Sequence, residues 1–60
     1  MKLIVRRNYV WTANKYCSIR FKVTRRNADG SVDGRCHETG HLYSFKPEQT
    51  TEENTKEIEA

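Results

Sequence analysis

The segment His37-Glu38-Thr39-Gly40-His41 carries the spacing of a zinc-protease motif. In such enzymes a helix sets two histidines four residues apart on one face and holds the glutamate beside the metal-bound water. Here a glycine sits inside the motif, the residues before it read as a strand, and no third ligand follows in a position to close a site. Cys17, Cys36, His37 and His41 are the types that hold a structural zinc, but such sites draw their ligands in close pairs and Cys17 has no neighbouring ligand. No metal or cofactor is expected, and both cysteines read as small reduced core thiols. A nucleophile, a base and an orienting group cannot be brought together from these residues, so the chain is not expected to be an enzyme.

The second chemistry in the sequence is cationic. From Tyr16 to Arg26, Cys17, Ile19, Phe21 and Val23 alternate with Tyr16, Ser18, Arg20, Lys22, Thr24 and Arg26. Side chains of a strand point alternately to its two faces, so this segment has one apolar face and one basic face. Arginine's planar fork makes paired contacts to phosphate oxygens, and aromatic or imidazole rings stack on unpaired bases. The expected contact set is Arg6, Arg7, Arg20, Lys22, Arg26 and Arg35, with Tyr16 and His37 as stacking groups.

Charge is divided along the chain. Residues 1–46 hold ten basic and three acidic side chains, whereas residues 47–60 hold one and five. This boundary predicts a small basic β domain over 1–46 and a mobile or weakly helical acidic tail over 47–60, with Ile58 its single large apolar residue. Such a tail either solvates the domain or competes with an external polyanion for the basic face. The segment Met1–Arg7 has only three consecutive apolar residues, too few for a secretory signal or a membrane span, which makes the cytosol the expected location.

The elements that would position these groups are strands. Residues 2–11 read as a first strand with Leu3, Val5, Tyr9 and Trp11 on one face, although Ile4 and Val10 place apolar groups on the other. A second strand runs to about Arg26. Asp29-Gly30 then suits a hairpin. As a two-residue turn it pairs Ala28 with Ser31, Val23 with Cys36 and Arg20 with Thr39, which puts Val32 and Cys36 on the apolar face and Asp33, Arg35 and His37 on the basic one. As a three-residue loop, Ala28-Asp29-Gly30 sets Val32 opposite Arg26 and Cys36 opposite Lys22, on the charged face. A slip of one residue reverses every side chain, so the first register is preferred. His41–Phe45 reads as a fourth short strand, ended by Pro47.

The expected fold is therefore all-β: a small antiparallel sheet of three to four strands. With no amphipathic helix to cover it, its apolar face must be buried by curling into a small barrel or by a second subunit, and a homodimer is a natural form. In outline the basic sheet over residues 15–38 resembles the DNA-reading sheets of plant AP2-type domains and of phage-type integrase arm-binding domains, which carry a packing helix that this chain lacks. The expected function is non-enzymatic binding of nucleic acid, DNA or RNA, by the basic sheet face. The alternative is a small regulatory or inhibitory protein that binds a larger protein through a sheet edge, the Tyr9 and Trp11 region or the acidic tail.

Overall fold

The computed structural model describes residues 1–59. Strands β1 (Asn8–Asn14), β2 (Cys17–Arg26), β3 (Val32–Cys36), β4 (Leu42–Phe45) and β5 (Thr55–Ile58) form one antiparallel sheet in the order β4-β3-β2-β1-β5, with a single 3-10 turn at Pro47–Gln49. The sheet is open and strongly curled. β1 and β4 are three strand spacings apart, about 14 Å in a flat sheet. Yet the rings of Trp11 on β1 and Phe45 on β4 lie 5.5 Å apart. Curling thus buries the apolar face within one chain, and Leu3, Tyr9, Phe21, Val23, Val32 and Phe45 form the core. No helix among the described residues is long and apolar enough to cross a membrane.

Phe21 is central to this core. Its ring stacks on Phe45 at 4.6 Å and on Tyr9 at 6.0 Å. The space for it exists because β3 carries glycine at position 34. A Cβ on Gly34 would stand 2.4 Å from Phe21 Cδ2, well inside contact distance.

The β2–β3 register differs from the preferred one and explains itself. Asn27 N–H donates to Ser31 O, closing the three-residue loop Ala28-Asp29-Gly30 with Gly30 at φ +90°, a left-handed conformation that glycine adopts freely. The Asp29 carboxylate accepts from the Ser31 hydroxyl and N–H, which holds it below its ordinary range. Arg26 pairs with Val32 and Arg25 with Asp33, but a bulge at Thr24 then shifts the ladder so that Val23 pairs with Gly34, Lys22 with Arg35 and Phe21 with Cys36. One extra residue on one strand reverses the alternation. The three-residue loop and the bulge together keep both Val32 and Cys36 buried.

Two other expectations are corrected. The first strand begins at Asn8 and not at residue 2, because Arg6 takes a left-handed φ of 75° and Arg7 N–H bonds back to Ile4 O. Leu3 still reaches the core, held where Ile4 N–H donates to the Tyr9 hydroxyl and the Arg26 guanidinium donates to Leu3 O. The acidic C-terminal segment supplies a fifth strand: Thr55–Ile58 pairs with Asn8–Trp11 of β1. The connection from β4 crosses the open core side, where Trp11 Nε1 and Asn54 Nδ2 both donate to Gln49 O at 2.9 Å. Thr50 and Thr55 are buried there. One apolar residue is enough to dock this segment because backbone bonds to an otherwise open edge do most of the docking.

Two stability outcomes follow. Gly34→Ala forces Phe21 off its seat and costs about 1–3 kcal/mol. In a domain this small each kcal/mol lowers Tm by about 4–8 °C; an unchanged melting curve would show that the ring moves aside freely. Removing residues 47–60 strips β5 from β1 and uncovers Trp11, so the 1–46 fragment is expected to lose the cooperative thermal transition of the full chain in circular dichroism. A fragment melting like the full chain would show that β5 adds no stability.

Candidate functional site

The outer, convex face of the sheet is set by the residues that the core leaves behind. Side by side across it run Ile58 of β5, Asn8 of β1, Lys22 of β2, Arg35 of β3 and Leu42 of β4. One step along β2, Arg20 pairs with Val10; beyond the bulge, Arg25 pairs with Asp33. Arg6 joins from the N-terminal segment, where its N–H donates to Val23 O at 2.7 Å, so its Cα lies directly beside β2. Its left-handed backbone separates it from Arg7.

Arg6, Lys22, Thr24, Arg35, His37 and Gly40 line one shallow groove of about 490 Å³. His37 Nε2 lies 2.8 Å from Asn8 Oδ1 and donates to it when that nitrogen carries the proton, which fixes the ring over β1. Arg35 Nη1 makes a long 3.4 Å contact to Gly40 O. Among the described residues the only ion pair joins Arg7 to Glu57, at 3.1 Å. The guanidinium and ammonium groups of the groove therefore face water without a carboxylate partner there. Asp33 shares the face, and its carboxylate accepts from Asn27 Nδ2.

Of the sequence-predicted residues, Arg6, Lys22, Arg35 and His37 come together in the groove, and Arg20 stands on the same face. Arg26 does not. Beyond the bulge it turns to the core side and bonds Leu3 O, so it leaves the row assigned to it. Arg7 turns toward β5 and Glu57 instead of extending the row. Tyr16 projects into solvent from the β1–β2 hairpin under the Lys15 ammonium, six residues and about 20 Å along the strand from Lys22. Arg25 takes the outward place that alternation gave to Arg26. Asn8 was not expected at all, and nothing in its local sequence marks it as a partner of a histidine 29 residues away.

The His37–His41 segment is a turn and not a helix, with Gly40 at φ +73°. It sends His37 to Asn8 and His41 edge-on against Tyr43. Among the described residues no group of three or more His, Cys, Asp or Glu could hold a metal ion. The cysteines differ from the two core thiols expected: Cys17 is exposed and Cys36 buried, both free. The Thr39 hydroxyl first, then the Thr39 and Glu38 N–H groups, bond the Cys36 sulfur and lower its pKa from the ordinary thiol value. Cys36 also contributes to the lining of the groove.

No family model, curated protein or solved structure matches the chain, so the groove is read from its own geometry.

The Cys36 microenvironment is directly measurable. In a Cys17→Ser background, thiolate absorbance is expected to appear at lower pH than in an ordinary thiol, since hydrogen bonds to the anion favour it. Adding Thr39→Ala removes the leading donor and should move the midpoint upward. Identical midpoints with and without Thr39 would show that its hydroxyl does not hold the sulfur.

Proposed function

We propose that this protein binds nucleic acid through phosphate contacts on the outer face of its sheet, without catalysing a reaction. The observation that carries the reading is the convergence of Arg6, Lys22, Arg35 and His37 on one groove in which no cation has a carboxylate partner among the described residues. Arg20 and Arg25 extend the positive field along β2 in both directions. Phosphate oxygens suit this arrangement because guanidinium groups bind them by paired, charge-assisted hydrogen bonds. Binding of this kind releases condensed counterions, so affinity falls steeply with salt.

A larger protein is the second reading, favoured by Leu42, which is 53% exposed on the open β4 edge beside Arg35. A strand edge pairs with a partner through backbone bonds and needs no charge. The two readings separate on salt dependence and on which side chains matter.

Lys22→Ala and Arg35→Ala are each expected to weaken nucleic-acid binding roughly tenfold near 0.1 M salt and to reduce the slope of log K against log salt by about 0.9. Arg7→Ala, on the β5 side, should change affinity by less than about threefold. Fluorescence anisotropy with circular dichroism as the folding check measures all three. Full affinity in a folded Lys22→Ala, Arg35→Ala double variant would remove the groove from the function.

A further inference from the structure

The outer face has cations but no aromatic platform. The chain holds one Trp, three Tyr and two Phe, and the structure accounts for every one. Tyr9, Phe21 and Phe45 are buried in the core. Trp11 and Tyr43 pack against that core from the same inner side. Tyr16 is exposed, but at the hairpin tip, about 20 Å from Lys22. His37 is the remaining ring near the groove, and Asn8 ties it down.

Single strands are held by a basic track together with aromatic rings on which their unpaired bases stack. A single strand laid on this face would make its phosphate contacts and find one fixed imidazole, and no Trp, Tyr or Phe ring, for its bases. A duplex keeps its bases stacked on one another and presents only sugar and phosphate to such a surface. It also carries one charge per about 1.7 Å of axis, so more condensed counterions are released on binding. The cations are spread in two dimensions, Arg20, Lys22 and Arg25 along β2 with Arg6 and Arg35 on either side, a layout suited to more than one line of phosphates.

We infer that the ligand of this face is a double-stranded nucleic acid, gripped by its phosphates without regard to base sequence. This inference rests on the phosphate-binding reading proposed above. Phosphate contacts fix position and carry no sequence information directly. With five cations engaged, the salt slope reaches about −4.5 on a duplex.

The test titrates the full chain into fluorescein-labelled DNA duplexes of about 20 base pairs in two unrelated sequences, an RNA duplex of the same length, and the separated strands, from about 50 to 200 mM salt. At least one duplex type, DNA or RNA, should bind about tenfold or more tightly than its own strands, and the two DNA sequences should agree within about threefold. The DNA and RNA arms show which backbone is preferred. Tyr16→Ala should leave all affinities unchanged. Single strands bound as tightly as duplex, a tenfold preference between the two DNA sequences, or loss of binding in Tyr16→Ala would each overturn the duplex inference while leaving a phosphate-binding face standing. No binding to any probe at the lowest salt would overturn both.

Discussion

The seat of Phe21 on the bare backbone of Gly34 is the contact on which the rest of the structure depends. A sheet with no helix to cover it must fold onto its own apolar face, and curling is possible only if the inward side chains leave room for one another. Phe21 lies low over β3 because position 34 has no side chain, and so Phe45 can stack on it from β4 and Tyr9 from β1. Those stacks draw the outer strands inward until Trp11 meets Phe45. Every large aromatic except Tyr16 is recruited inward as a result. The outer face is left to polar and charged groups, with Val10, Leu42 and Ile58 as scattered aliphatic exceptions.

The same strands show how far local pattern predicts such a fold. Alternation along β2 marks Phe21 and Val23 as core and Arg20 and Lys22 as outward, and the structure agrees, because period-two geometry leaves a strand no other choice. What alternation misses is the point at which it stops. Thr24 has nothing in its type that announces a bulge, yet its extra residue moves Arg26 inward and Arg25 outward. Each possible hairpin register, taken alone, assumed an unbroken ladder. The loop follows one of them while the burial of Val32 and Cys36 follows the other.

Non-local pairing limits the reading elsewhere. Thr55–Ile58 has little apolar pattern of its own, and it becomes a strand because β1 offers an unpaired edge and Thr55 fits beneath the β4–β5 connection. Arg6 and Arg7 look equivalent in sequence. They separate because Arg6 enters the left-handed region, uncommon for a residue with a side chain, at the point where the N-terminal segment must turn to bring Leu3 into the core. The cationic site was thus visible in its centre, Lys22 and Arg35, and blurred at its margins, where bulges and turns decide which way a side chain points.

The pairing of Lys22 directly with Arg35 bears on what that centre is for. Like charges opposite each other on neighbouring strands are destabilising. A chain of 60 residues has little stability to spare. It also has eight carboxylates with which to neutralise the pair. In the described structure one of them, Glu57, pairs with Arg7, and none stands within ion-pair distance of Lys22 or Arg35. Arg6 then adds a third cation to the same groove, beside the His37 imidazole. Such repulsion is relieved when an anion with several charges spans the cations at once, and a phosphate backbone does this while leaving the sheet and its core undisturbed.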